Sequence, residues 1–255
     1  KMKPGHAAIK KILQPFASFG GQVAELSGDP ENAGEENNAY YTRVSERLRH
    51  KQRGITIFDY ERLVLQQFPE VYKVKCINHT SEESEHHPGY VTVVAIPDLR
   101  NKNAVDPLEP RLSLNKLEEI KTFLSPHISD FVTLDVINPD YEKVQVSFNV
   151  QFLPGKDKGF YTSQLQEDIR KFLTPWLYDE GKDLILGGSV HRSAVLNYIE
   201  ETDYVDFLTD FKMFHTNRMG IKKEVEEAKA STSSSTLVSN SVHIINFDIE
   251  VACLK

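Results

Sequence analysis

Tyr40–Lys75 reads YYTRVSERLRHKQRGITIFDYERLVLQQFPEVYKVK, two helices and the start of a strand, with no pattern of reactive residues inside it. The first helix is basic, carrying Arg43, Arg47, Arg49, His50, Lys51 and Arg53. Tyr41, Val44 and Leu48 fall at the i, i+3, i+7 spacing of one helical face. Gly54 is expected to break it. Thr56 is placed to cap the second helix, with Asp59 three residues on, close to a capping box. Ile57, Tyr60, Val64 and Phe68 lie along one side of that helix, and Phe58 and Leu65 widen the apolar surface, so burial on more than one side is expected. Pro69 ends it.

Strand signals start at Val71, where Tyr72, Val74 and Cys76 alternate with Lys73 and Lys75. The polar loop NHTSEESEHHPG leads to Tyr90–Ile96, apolar on both faces apart from Thr92, as a central strand would be. A proline-rich connection precedes a helix capped by Ser113, whose buried side is Leu114, Leu117, Ile120 and Leu124. Val132, Leu134 and Val136 alternate, and Asn138-Pro139-Asp140 reads as a turn. In the following strand Val144, Val146, Phe148, Val150 and Phe152 face one way, and Lys143, Gln145, Ser147, Asn149 and Gln151 the other, so one face is core and one is wet. The natural burial is a small mixed or antiparallel sheet with helices on one side.

A second α+β half begins after Gly155 and Gly159. Its first helix carries Leu165, Ile169, Phe172 and Trp176. Another starts near Ser189 with Ala194, Val195, Tyr198 and Ile199, and long strands are expected at 204–214 and 241–253. Between them TNRMGIKKEVEEAKASTSSST is charged, then serine-rich, and reads as a protruding hairpin or flexible insertion near 215–236. Upstream, SGDPENAGEENNA (27–39) reads as a surface loop. The division expected from these signals is 1–70 as lead-in and helical pair, 71–153 as a first module and 154–255 as a second. The fold class is α+β, with two small sandwich-like modules preceded by a helical segment.

Reactive constellations are weak. His79, His86 and His87 share a loop with Glu82, Glu83 and Glu85, but a metal site needs ligands held by a rigid scaffold, and this loop is polar and acidic. Ser189, His191 and Asp203 suggest a triad, yet there is no G-x-S-x-G elbow, and a serine after Gly187-Gly188 is explained as a helix cap. Glu200, Glu201, Asp203, Asp206 and Asp210 read as a solvated edge or a contact for a basic partner. Asp206 and Asp210, four residues apart on a strand, are separated by about 13 Å, too far for an acid/base pair. No catalytic, cofactor-binding or metal residues are assigned. Phe16 and Phe19 fit no helical or strand period and stand between proline and glycines, as interface anchors would, or residues packed on the chain's own sheet. With Arg43, Arg47, Arg53 and Tyr60 they form the candidate interface.

The basic helix TRVSERLRHKQR, the block ITIFDYERLVLQQFPEVYKVKC, the strand GYVTVVAIP and the run NPDYEKVQVSFNVQF together resemble the baseplate J-like family. The resemblance extends over Pro15–Phe214 and is strongest over Tyr41–Pro97. It implies a baseplate wedge component of a contractile phage tail or related injection system, a structural protein rather than an enzyme, with no cofactor. Its implied partners are other wedge subunits, either copies of itself or a sister protein, with sheath or hub proteins as further partners. It also implies assembly in the bacterial cytoplasm into a tail-like particle. The rival readings are a carbohydrate- or receptor-binding tail module and a metal-dependent enzyme.

Composition sets the outer bounds. The 255 residues carry 40% hydrophobic and 26% charged side chains and a net charge of -7, ordinary for a globular protein and unlike a nucleic-acid binder. The basic helix is a local exception to that balance. No apolar run is long enough for a membrane helix. Cys76 and Cys253 lie far apart and in no metal-ligand spacing. A lysine precedes the first methionine, which suggests a piece of a longer polypeptide or a processed or tagged chain.

Overall fold

A computed structural model of the chain describes residues 37–81, 84–98, 106–178 and 183–246, with side chains from residue 44 onward. Phe16, Phe19 and Cys253 lie outside the described residues, as does most of the strand expected at 241–253. The chain divides into two units between Arg53 and Gly54.

In the first unit, helix α1 (Asn37–His50) is the expected basic helix. It begins within the stretch read as a loop and ends before Gly54. The stop comes from Lys51 and Gln52, both in the left-handed region at φ 48° and 58°. The Lys51 amide still donates to the Arg47 carbonyl, the Gln52 amide donates to Nδ1 of His50, and the Arg53 amide to the His50 carbonyl. The imidazole thus serves the helix end that a glycine was expected to provide.

The second unit opens with α2 (Ile57–Gln67), under a complete capping box. The Asp59 amide donates to Thr56 Oγ1 at 3.3 Å, and the Thr56 amide donates to Asp59 Oδ2 at 2.8 Å. Phe68 closes it ahead of Pro69. Gly54 has a packing role: a Cβ there would stand 2.9 Å from Ile128 Cγ2 and 3.4 Å from the Tyr60 ring. Strands β1 (Val71–Asn78) and β2 (Tyr90–Pro97) pair antiparallel. Helix α3 (Leu114–Leu124), capped by Ser113, leads to β3 (Thr133–Ile137), which pairs parallel with β2. The sheet is mixed, in the order β1-β2-β3. Leu63, Val64 and Phe68 of α2 and Leu117, Ile120 and Leu124 of α3 pack on one face of it. Leu114, expected on the buried side, is 81% exposed in the first turn, and Leu63 of α2 takes an unpredicted core place.

The second sheet is built on β4 (Asp140–Phe152), in which Val144, Val146, Phe148, Val150 and Phe152 are all buried, as their alternation predicts. Helices α4 (Lys158–Leu173) and α6 (Arg192–Glu200) contribute Leu165, Ile169, Val195 and Ile199 to its core. Between them, short α5 (Pro175–Tyr178) holds Trp176, separated from α4 by Thr174 and Pro175. Strand β5 (Ser189–His191) pairs with β8 (Glu227–Lys229), and β6 (Val205–Thr216) pairs antiparallel with both β4 and β7 (Lys222–Glu224). Strands β9 (Ser235–Ser239) and β10 (Ile244–Asn246) line the other side of β4, both parallel to it.

Several expectations change here. The hydrogen bonds of β4 go to β6, β9 and β10, so its pairing lies with the strands that follow rather than with β1–β3, across the division expected at 153–154. Likewise α2 packs on the first sheet. The 215–236 segment contains β7 and β8 and leads into β9; Ala228, Ala230, Ser234, Ser235 and Thr236 are buried, so beyond the β6–β7 turn it is part of the body. Ser189 caps no helix: it lies in β5, and His191 takes the N-cap position of α6. The regular strand assumed through Asp206 and Asp210 is broken by a β-bulge. Ser147 pairs with Lys212 but Asn149 with Thr209, and Asp210 stands at φ 54° with its carboxylate accepting from Asn149 Nδ2 at 3.0 Å. The bulge turns Phe211 inward, stacked on Phe148 with centroids 5.7 Å apart.

The two sheets are joined by the strap 183–187. Leu184 and Leu186 pack against Val94 and Ile96 on the β2 face opposite the helices. Lys73 and Lys75 of β1 donate to the Leu184 and Leu186 carbonyls, at 2.9 and 3.2 Å. From the other sheet, Thr236 Oγ1 donates to the Ile185 carbonyl and the Gly187 amide donates to the Ser235 carbonyl. β2 is therefore buried on both faces, as its apolar run, broken only at Thr92, requires.

Candidate interaction surfaces

Four of the six candidate interface residues lie among the described residues. Arg43 lies within α1, Arg47 is half-buried and Arg53 is exposed. Tyr60 is 4% exposed and packs with Leu63, Val64 and Val93, so its ring belongs to the core of the second unit and not to an open face. Burial raises its phenol above the ordinary value, with Cys76 and Asp59 adding to the shift. Burial likewise pushes the Cys76 thiol up to about 12, with Glu61 beside it, as for an inert core thiol.

The histidine loop packs locally. His87 stacks on Tyr90 with centroids 3.8 Å apart, and its Nδ1 is 3.0 Å from Ser81 Oγ. Glu85 accepts from the Ser233 amide at 2.8 Å, tying this loop to the second sheet. Among the described residues no three histidine, cysteine or carboxylate side chains are grouped to hold a metal. His191 faces Glu227 across β5 and β8 at 3.6 Å.

Two buried polar centres escaped the sequence reading. Glu142 on β4 is fully buried. Its carboxylate accepts from His215 Nε2 at 2.6 Å and from the Ser231 amide at 3.1 and 3.2 Å. His243 is 2% exposed. Its Nδ1 accepts from the Val146 amide, which puts the ring proton on Nε2, 3.0 Å from Ser239 Oγ. Gln166 brackets the backbone of His243 with two hydrogen bonds. Burial, with Arg170 nearby, lowers the His243 pKa to about 4. Each is a buried polar group with partners. The available signal was an acidic or imidazole side chain breaking an otherwise regular β pattern.

Exposed apolar side chains are spread over the described surface, with Phe131, Leu114, Ile55 and Met219 the most open, and two small groups of them lie at the ends of β6. At one end is the turn between β6 and β7, closed by hydrogen bonds between Asn217 and Ile221 and between Gly220 and Asn217. Met219 is 72% and Ile221 49% exposed there, beside Arg218, Lys222 and Lys223. At the other end Leu153 and Phe207 are exposed, and the exposed Glu201, Asp203 and Asp206 lie at or just before the start of the strand, while Asp210 stands at the bulge midway along it. Among the described residues no helix is long and apolar enough to cross a membrane.

A sequence model of the PVC11-like baseplate proteins matches residues 3–238. No curated protein matches the chain. A solved structure, the six-fold symmetrised cryo-EM structure of the anti-feeding prophage baseplate, contains a chain of similar fold, with a TM-score of 0.58 at 21% identity. The likeness covers 81% of this chain and 42% of that one, so this chain spans less than half the length of its structural relative. By that match over most of its length, the chain belongs to the PVC11-like family of baseplate proteins.

Proposed function

We propose that this protein is a wedge subunit of the baseplate of a contractile injection machine, joined to copies of itself or a sister wedge protein around the tube. It assembles in the bacterial cytoplasm and passes the baseplate's change of shape to the sheath. The role is mechanical, with no reaction catalysed. The family match from residue 3 to residue 238 carries this reading. The six-fold symmetrised anti-feeding prophage baseplate gives the ring a precedent. The build is consistent with load transfer: the strap 183–187 joins the two sheets through apolar packing and backbone hydrogen bonds on both sides.

The basic helix α1 is proposed as a docking element, its cations meeting carboxylates of a neighbouring subunit. Phe16 and Phe19 are proposed as anchors in the same contact. Arg43→Glu combined with Arg47→Glu should abolish assembled particles, counted by electron microscopy, while the purified chain keeps its circular dichroism and melting temperature. Normal particle numbers from the double variant would refute the docking role.

A further inference from the structure

The ends of β6 are opposite in character. The Asn217–Ile221 turn is apolar and basic: Met219 and Ile221 are exposed at the tip, with Arg218, Lys222 and Lys223 on its flanks. The far end is apolar and acidic. Leu153 and Phe207 are exposed there, and the exposed Glu201, Asp203 and Asp206 lie at or just before the start of the strand. Gln151 pairs with Phe207, and Leu153 follows two residues along, on the same side of β4 as Gln151. The Lys156 ammonium lies on the Tyr161 hydroxyl at 3.3 Å and over that ring. The tip cations are already held in place. Arg218 is 3.7 Å from Asp140, and Lys222 reaches Gln145 at 2.5 Å while lying over Phe214. The twelve residues of β6 separate the two ends by about 36 Å, too far for one to satisfy the other within a chain.

We infer that the β6–β7 tip of one copy docks on the acidic, apolar end of β6 in a second copy, forming a head-to-tail contact between identical chains. Matching apolar centres with opposite charge around them are what such a pair of surfaces requires, since charge sets register and partner choice while the apolar centre supplies affinity. Two different patches on one chain make a heterologous interface, which propagates from copy to copy and closes into a ring when the rotation allows. This inference rests on the wedge-subunit reading and names the surfaces through which copies would meet.

The test uses the full 255-residue chain with itself as the probe. Sedimentation velocity at low ionic strength should show association that grows with concentration and weakens with added sodium chloride. The double variants Lys222→Glu/Lys223→Glu and Asp203→Lys/Asp206→Lys should each weaken association about tenfold or more, because each sets like charges against each other. Mixing the two variants should restore it, since each altered surface then meets its complement. Unchanged melting temperatures would show that both variants fold. A wild-type chain that stays monomeric at low salt, or a mixture no more associated than its components, would overturn the head-to-tail contact. A chain that fails this test yet is still located in assembled baseplates would leave the wedge reading standing and assign the tip to a different subunit.

Discussion

Strands β2 and β9 are both deep in the protein and chemically opposite. Val93, Val94 and Ala95 of β2 are fully buried by an apolar run with apolar neighbours on both faces. In β9, Ser235 and Val238 are fully buried and Thr236 and Ser239 are 1% exposed. That segment is tolerated in the interior because its polar atoms have partners. Ser235 Oγ is 2.6 Å from Thr232 Oγ1, Thr236 donates to the Ile185 carbonyl, and Ser239 donates to the Asn240 carbonyl. A buried hydroxyl is costly only when unsatisfied. The comparison therefore sets two routes to burial side by side, one through apolar area and one through hydrogen-bond closure.

The largest effect is expected on the polar route. Glu142→Ala leaves His215 and the Ser231 amide without their buried acceptor and should cost about 3–5 kcal/mol in urea denaturation. Ile96→Ala, on the apolar route, removes buried methyls between the strap and β2 and should cost about 3 kcal/mol. A loss below about 1 kcal/mol for Glu142→Ala would mean that the polar seam is incidental and the apolar contacts alone hold β9 in place.

Acid should separate the routes without mutation. His243 has its pKa lowered to about 4 against an ordinary value of 6.5, because the interior disfavours its charged form. Between those values the unfolded chain binds a proton that the native chain refuses, so native stability rises with pH across that window. The stabilisation is complete above 6.5, declines as pH falls, and is lost by about pH 4, a change of about 3 kcal/mol from this group. His243→Asn removes the titration and keeps an acceptor for the Val146 amide. It should flatten this part of the stability curve between pH 4 and 6.5, relative to wild type measured in the same denaturant series. An unchanged slope would assign the acid sensitivity elsewhere.

The same contrast explains what could be read from the sequence. β4 and β2 were legible because their burial is written in side-chain type: strict alternation in one, an apolar run broken only at Thr92 in the other. The capping box of α2 was legible because Thr56 and Asp59 act locally. The serine-rich strand was not, since its partners Ile185 and Thr232 are chosen by the tertiary fold and the composition alone resembles a loop. The β6 bulge was hidden for a related reason. Asp210 accepts a left-handed backbone more readily than most residues, but an aspartate in a polar stretch does not announce it. The candidate site was the least legible. Tyr60 has the spacing of a helix face, and periodicity cannot say whether that face meets the chain's own sheet or a neighbour. The exposed ends of β6 emerge only once the turn at Asn217–Ile221 and the bulge are known.

The smallest predicted effect tests the hydrogen-bond route at a single oxygen. Thr236→Val preserves the shape and β-branching of the side chain, so strand preference and packing are nearly unchanged. What disappears is one donor, the 2.9 Å bond from Oγ1 to the Ile185 carbonyl. That carbonyl belongs to the strap whose neighbours Leu184 and Leu186 fill the β2 pocket, so the bond joins the polar route to the apolar one. The expected loss is about 1 kcal/mol in denaturant unfolding. Hydrogen exchange should quicken at the Gly187 amide, which donates to Ser235 in the same join. If closure of hydroxyls is what admits β9 to the interior, both readouts move together. A valine variant as stable as wild type, with Gly187 equally protected, would show that the added methyl offsets the lost bond, and that the two routes are interchangeable at this position.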